Sequence, residues 1–231
     1  MTHWRTIGII GGMGPAASAD FLARLVAAVP AASDAEHPRI LLESNPQVPD
    51  RNAAQAGTGP SPGPALAAIA RRLATAGAEL LVMPCNAAHG WAPDIIAATP
   101  LPFVHLIDAA VAAAVATGAR RVGLLAVGAT LGARLYHQRL EALGIRVLTP
   151  DAASQAEVAA LVARVKAGDA GPQVRAGMAA LAAALAAQGA EAIIAACTEV
   201  PLVLGQADVP VPLIDATAAL VAATLLAASP A

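Results

Sequence analysis

The chain reads as an α/β protein made of two similar, doubly wound parallel-sheet domains related by internal duplication. Three observations predict this. Apolar runs of strand length alternate with Ala-rich helical segments of ten residues or more, the pattern of parallel βαβ units. Two Gly-Ala-Glu triplets, Gly77–Glu79 and Gly189–Glu191, each stand eight positions before a cysteine that closes an apolar run, Cys85 (85 − 77 = 8) and Cys197 (197 − 189 = 8). Matched features then recur at a nearly constant displacement: Gly8 to Gly123 (123 − 8 = 115), Cys85 to Cys197 (197 − 85 = 112) and Asp108 to Asp215 (215 − 108 = 107).

Taken in order, Thr6–Ile10 is a buried strand that runs into the turn Gly11-Gly12-Met13-Gly14-Pro15. Pro15 suits the first turn of a helix, and Ala16–Val29 carries helical spacing. Residues 30–38 form a loop, Arg39–Glu43 a second strand, and Asn45–Asn52 a polar, proline-held connection. The segment 57–64, with three glycines and three prolines, reads as a mobile loop and a candidate lid. A helix over Ala65–Ala76 leads to the strand that ends at Cys85, another helix follows, and Leu101–Asp108 is a fourth strand. The pattern restarts at Arg121–Gly128, with a strand at Arg146–Pro150, helices over Val158–Val165 and Val174–Ala187, the Cys197 strand, and Val211–Ala216. The domains are expected over 1–107 plus 212–231, and over 108–211. The carboxyl edges of the two sheets would face each other across a cleft that holds the active site, and the C-terminal helix would return to pack on the first half.

A chain of 231 residues can bury a sizeable core. Hydrophobic residues make up 57%, and mean hydropathy is +0.63, but much of this is alanine, which buries little area per residue. No apolar run reaches the roughly 18–20 residues that span a bilayer. The N-terminus, Met1-Thr2-His3-Trp4-Arg5, passes straight into a strand pattern, without the look of a signal peptide. A net charge of −2 with scattered arginines argues against nucleic acid as a partner. A cytoplasmic protein with no membrane partner is expected, and its two cysteines should be reduced rather than bridged.

The chemistry centres on these two thiols, which occupy equivalent places at the carboxyl ends of parallel strands, where open α/β sheets bind ligands. Each is followed by what reads as a helix start, Asn86–His89 or Thr198–Pro201, whose free N–H groups would stabilise a thiolate. Asn86 and Thr198 can cap those helices while the remaining N–H groups hold a carboxylate. Two thiols on opposite sides of one carbon suit inversion of a stereocentre: one takes the proton as thiolate, the other delivers a proton to the opposite face. Lys166 is the only lysine among 14 basic residues, and Arg51 precedes it by close to the duplication offset (166 − 51 = 115); both are candidate carboxylate clamps. No phosphate cup or pyridinium partner surrounds Lys166, so a pyridoxal Schiff base is not expected. His3, His37, His105 and His137 lack metal-ligand spacing, and no metal site is expected. His89 is a candidate for orienting the surroundings of Cys85. Gly12-Met13-Gly14-Pro15-Ala16-Ala17 also satisfies a dinucleotide fingerprint, with Glu43 as a candidate ribose acid, although that reading leaves both cysteines unexplained.

Taken together, Ile7–Pro15, Asn45–Arg51, Met83–His89, Val165–Gly168, Ala196–Val200 and Pro212–Asp215 resemble the aspartate racemase branch of the Asp/Glu/hydantoin racemase superfamily. The resemblance covers nearly the whole chain. It implies cofactor-independent racemisation of an amino acid, aspartate or aspartate and glutamate, without pyridoxal phosphate. It implies catalytic thiols at Cys85 and Cys197, and substrate contacts around Met13, Gln47, Arg51, Asn86, Ala87, Thr130, Lys166, Thr198 and Glu199. A small-molecule amino acid or dicarboxylate is the implied ligand, and a homodimer the implied assembly. Three departures from the family pattern stand out: Ala87 and Asn52 each stand where threonine is usual, and Val127-Gly128-Ala129-Thr130 replaces Thr-Thr-Gly-Thr, keeping only the last threonine. Two other readings stay open, a related isomerase or decarboxylase such as maleate isomerase, and a non-catalytic amino-acid or dicarboxylate binder.

Overall fold

The computed structural model describes residues 4–229; Met1–His3 and Pro230–Ala231, with the reading of the extreme N-terminus and of His3, lie outside them. The chain divides into two compact units, Met1–Leu106 with Thr217–Ala231, and Ile107–Ala216.

In the first unit, strands β1 (Ile7–Gly11), β2 (Ile40–Ser44), β3 (Leu80–Val82) and β4 (Phe103–Val104) form a parallel sheet in the order β2-β1-β3-β4. All five residues of β1 are buried, which matches its unbroken apolar sequence as an inner strand of a sheet covered on both faces. Helices α1 (Pro15–Ala28), α2 (Arg51–Gln55), α3 (Gly63–Thr75) and α4 (Ala92–Ala98) follow in chain order. Phe21 and Leu25 of α1 and Leu66 and Ile69 of α3 are fully buried. Gly14 is the N-cap of α1 and Pro15 its first residue, where a missing N–H costs nothing.

The second unit repeats the plan. Helix α5 (Leu106–Ala116) leads to β5 (Arg121–Leu125), and the sheet order β6-β5-β7-β8 uses β6 (Arg146–Leu148), β7 (Ala192–Ala195) and β8 (Leu213–Asp215), all parallel. Helices α6 (Gly128–Gly132), α7 (His137–Ala142), α8 (Ala152–Lys166) and α9 (Pro172–Ala187) belong to this unit, and α10 (Ala216–Ala228) carries the chain back to the first, where Arg5 N–H donates to Ala228 O at 3.0 Å. The duplication extends to the register: Ile7 lies opposite Leu80 in one sheet, and Val122 opposite Ala192 in the other.

The Gly-Ala-Glu echo turns out to be a structural device at the end of the sheet away from the thiols. Gly77 and Gly189 both have φ +96°, the left-handed turn that ends α3 and α9. Two residues on, the Glu79 carboxylate accepts the Thr6 N–H at 2.6 Å, and the Glu191 carboxylate accepts the Arg120 N–H at 2.6 Å. Each caps the entry to its central strand. The Arg120 N–H, followed by that of Arg121, lowers the Glu191 carboxyl below the ordinary glutamate range.

Three expectations change. The boundary expected at 211/212 lies between Ala216 and Thr217, because β8 bonds to β7 with Ile193 opposite Leu213 and completes the second sheet. The strand expected over 101–108 is only Phe103–Val104, since Pro102 offers no N–H and Leu106 already opens a helix. The supposed lid over 57–64 is half tied down: the Thr58 and Gly59 N–H groups both donate to Ala53 O, closing a turn onto α2.

Candidate active site

In the first unit, the carboxyl ends of the adjacent parallel strands β2, β1 and β3 bring three polar connections to one sheet edge. After β1, the turn is shaped by Gly12 at φ +94°, where a Cβ would fall 2.4 Å from Asn45 N. Met13, beside it, is buried. After β2, Asn45 Oδ1 accepts the Gln47 N–H at 2.9 Å, and the Gln47 residue itself is exposed. Asp50 caps α2 by accepting the Ala53 N–H at 2.8 Å, which sets Arg51 as the first helical residue. Arg51 Nη1 donates to the carbonyls of Val48 and Pro49, each at 3.1 Å, so the guanidinium is held by one nitrogen while Nε and Nη2 make no hydrogen bond among the described residues. Asn52 is exposed. After β3 come Cys85, Asn86 and Ala87, all buried. The structure thus gathers Met13, Gln47, Arg51, Cys85, Asn86 and Ala87 at one edge.

The dinucleotide reading does not fit this turn. Ser18 Oγ accepts the Gly12 N–H and donates to Gly14 O, both at 2.9 Å, so an amide that would face a pyrophosphate is already engaged. Glu43 is paired with Arg72, whose Nε lies 3.0 Å away.

Neither thiol is followed directly by an α-helix. A 3₁₀ turn over Ala87–Trp91 follows Cys85 and runs straight into α4 at Ala92, and one of three residues, Val200–Leu202, follows Cys197; the Asn86 side chain does not cap the first, and the N-cap of the second is Glu199 rather than Thr198. A three-residue turn has too few aligned peptides for the dipole that was expected to favour a thiolate. Pro201 fits its first turn without creating a longer helix, because the chain must turn toward β8 within a dozen residues.

At Cys197 a different influence dominates. Glu199 is 3% exposed, and its Oε2 accepts the Cys197 thiol proton at 3.0 Å and the Thr198 hydroxyl at 3.4 Å. Lys166 Nζ stands 3.9 Å from Glu199 Oε1, with its side chain 39% exposed. Burial pushes the Cys197 thiol well above its ordinary value, the Glu199 charge and hydrogen bond push it further, and the Glu199 N–H and Lys166 oppose. Cys197 therefore rests as a thiol. It follows that alkylation of Cys197 by iodoacetamide, read by peptide mass mapping, should be slow at pH 7 and accelerate only in strongly alkaline solution. E199Q removes the neighbouring charge and should bring that rise to lower pH, with a rate at pH 8 about tenfold faster. An unchanged profile would show that Glu199 does not hold the proton in place.

Thr130, at the start of α6, is buried, and its Oγ1 has no hydrogen-bond partner among the described residues. Both ends of α8 reach the carboxyl edge of the second sheet. Gln155 Nε2 donates to Ala126 O just past β5 at 2.9 Å, and Lys166 approaches Glu199 past β7. The helix therefore lies across that edge, and Thr130, Lys166, Cys197, Thr198 and Glu199 share it. Sequence reasoning missed two residues here. Gln155 holds the turn that carries Thr130, and nothing in its local sequence marked it. Tyr136 is fully buried; burial, then the negative charge that Cys197 carries once it is a thiolate, raises its phenol far above the ordinary tyrosine range, against the pull of Arg139. It is the chain's only tyrosine, a signal of the same kind as the only lysine.

Against known proteins, the profile of the Asp/Glu/Hydantoin racemase family matches residues 10–224. The chain belongs to this racemase family. Among its relatives, the broad specificity amino-acid racemase RacX of Bacillus subtilis (strain 168) is 26% identical over 225 residues, which is 95% of this chain and 96% of that protein. The solved aspartate racemase of Picrophilus torridus is 29% identical, covers 97% of this chain and 94% of its own, and superposes with a TM-score of 0.87. A glutamate racemase from Francisella tularensis, solved with D-glutamate, shares the fold at 19% identity and a TM-score of 0.68, over 96% of this chain and 80% of that one. The family match covers the thiol turns of both units, Cys85 and Cys197. No helix among the described residues of this family member is long and apolar enough to cross a membrane.

Proposed function

We propose that this chain is a cofactor-independent amino-acid racemase that acts on aspartate, or on aspartate and glutamate, through Cys85 and Cys197. The observation that carries the reading is the buried contact of Cys197 Sγ with the buried Glu199 carboxylate at 3.0 Å, a geometry that favours the thiol form of Cys197. A two-base inversion needs one thiolate and one thiol at rest. With Cys197 as the thiol, Cys85 takes the first proton.

In that direction, the Cys85 thiolate forms an S–H bond with the α-proton as the Cα–H bond breaks, leaving the electron pair on Cα and its carboxylate. The Cys197 S–H bond then breaks toward the opposite face of Cα, and the inverted Cα–H bond forms. Cys85 ends as thiol and Cys197 as thiolate. The Cys197 thiolate lies beside the Glu199 carboxylate, two negative charges in a buried site, and so is strongly basic and quick to recover a proton. Lys166 offsets part of this charge at 3.9 Å from Glu199. Arg51, with Nε and Nη2 available, is the better placed of the two cations to take a substrate carboxylate, since Lys166 already faces the Glu199 carboxylate at 3.9 Å.

A second reading, a wider range of amino acids, is favoured by a specific observation. Ala87 and Val127 are buried, and each presents an apolar side chain where the family pattern has the hydroxyl of a threonine. A racemase without those hydroxyls loses hydrogen bonds that select one substrate. The relative named for broad specificity supports this reading.

Incubation with single amino acids in D₂O tests both. L-aspartate or L-glutamate should gain one deuterium at the α-carbon, and the D-enantiomer should accumulate toward equality. Exchange across neutral amino acids as well would establish the wider range. No exchange with any of a panel would overturn the reading, and conversion of maleate to fumarate in the same assay would replace it.

A further inference from the structure

We infer that His89 is a positioning residue for Cys85, locked in one neutral tautomer by the first amide of α5. The inference rests on the catalytic role proposed above for Cys85.

The ring is 3% exposed and is fixed at both nitrogens. Leu106 N–H points at Nε2 at 3.0 Å, and Nδ1 lies 2.8 Å from Cys85 O. An amide N–H can only donate, so Nε2 must carry its lone pair and accept. The ring proton then sits on Nδ1, which donates to the Cys85 carbonyl. Each bond therefore enforces the other. If the proton moved to Nε2, two donors would face each other at Leu106 and two acceptors at Cys85.

Leu106 opens α5, and its N–H is one of the amides that a helix start leaves without an intrahelical partner. His89 supplies that partner from 17 residues upstream. Leu106 is also the last residue of the first unit before the chain passes to the second. The imidazole thus ties the backbone of the Cys85 turn to the amide at which the chain leaves the unit. Around it, the Phe103 ring centroid lies 5.6 Å away at 35°, and the His105 ring 4.5 Å away at 73°, so the plane is held as well as the two nitrogens.

The two thiol turns consequently differ in how they are held. Four residues after Cys85 stands His89, which grips the cysteine's carbonyl; four after Cys197 stands Pro201, which has no such group. Two residues after Cys197 stands Glu199, which grips the thiol itself, where the first turn has Ala87. In the first unit the backbone of the thiol turn is braced by the ring. In the second the sulfur's proton is held directly.

Two substitutions separate the two bonds. An asparagine amide sits at the same distance along the side chain as Nδ1, and a glutamine amide at that of Nε2. H89N should keep the bond to Cys85 O and lose the one to Leu106; H89Q should do the reverse. We expect H89N to retain kcat for α-proton exchange within about threefold, and H89Q to lose about tenfold in kcat with KM little changed, the scale of a slightly displaced reacting group. The rate of Cys85 alkylation should follow the same order, which provides a readout that does not need turnover. A ring acting only in packing would make the two variants alike, and equal kcat and equal alkylation rates would overturn the inference. Should neither variant fold, nitrogen-15 NMR of the wild-type protein decides: a proton on Nδ1 with Nε2 bare is required, and a proton on Nε2 refutes it. Absence of exchange in the wild-type protein would count against the racemase reading alone, since the alkylation rates and the tautomer still test His89.

Discussion

C85S and C197S are each expected to lower racemisation by about 10³ or more while the protein stays folded. A serine hydroxyl is far too weak an acid to rest as an alkoxide at position 85, and a poor proton donor to carbon at position 197. General acid–base groups contribute about 10²–10⁴ in rate, and 10³ corresponds to roughly 4 kcal/mol in the barrier. The two losses should be of similar size, since inversion fails without either a base or a donor. A reaction with one nucleophilic cysteine would instead leave one variant nearly unharmed. Comparable melting temperatures would confirm that the losses are chemical, and full racemase activity in either variant would end the two-thiol mechanism.

G12A should cost stability rather than chemistry, by about 3 kcal/mol or more. The added methyl meets Asn45 N at 2.4 Å, Asn45 C at 2.5 Å and Asn45 O at 2.7 Å. These are backbone atoms, and they cannot yield, because Asn45 N–H donates to Gly11 O at 3.2 Å and Gly11 is in register with Ser44. The φ of +94° adds a penalty that any L side chain meets. Gly57 separates the two causes. It has φ +72° but nothing within 4 Å of a Cβ, so G57A should cost only about 1–2 kcal/mol. For a chain of this size each kcal/mol moves the melting temperature by roughly 2–4 °C, so calorimetry should find G12A lower by about 6 °C or more. A G12A melting temperature equal to that of G57A would mean that the turn relaxes around the methyl.

Much of the fold could be read directly because duplication doubles the signal. Two apolar runs that end in cysteine at matched distances from Gly-Ala-Glu are hard to produce by chance, and parallel inner strands such as β1 announce themselves as unbroken apolar runs. The glycines and glutamates of the echo could be noticed but not explained. Their job, to end a helix and cap a strand far from the thiols, appears only when Thr6 and Arg120 are seen donating to Glu79 and Glu191. Short elements were misread where one hydrogen bond decided them. Leu106 belongs to a helix because His89, distant in sequence, accepts its N–H. The expected helix start after Cys197 became an isolated 3₁₀ turn and that after Cys85 a 3₁₀ turn leading into α4, for a similar reason: a window of four residues does not show how its turn will continue.

The chain's linear order alone determined the family, the parallel α/β plan, its repetition, and the placing of two thiols at strand ends. Each of these is a pattern of residue types at fixed spacing, and spacing survives without coordinates. Tertiary structure alone decided the character of the thiol turns. A carboxylate two residues away can point anywhere, and only packing directs Glu199 onto the Cys197 sulfur and buries both. The proton affinity of a thiol depends on what excludes water from it and which charge lies within a few ångströms, and these are properties of the folded surroundings.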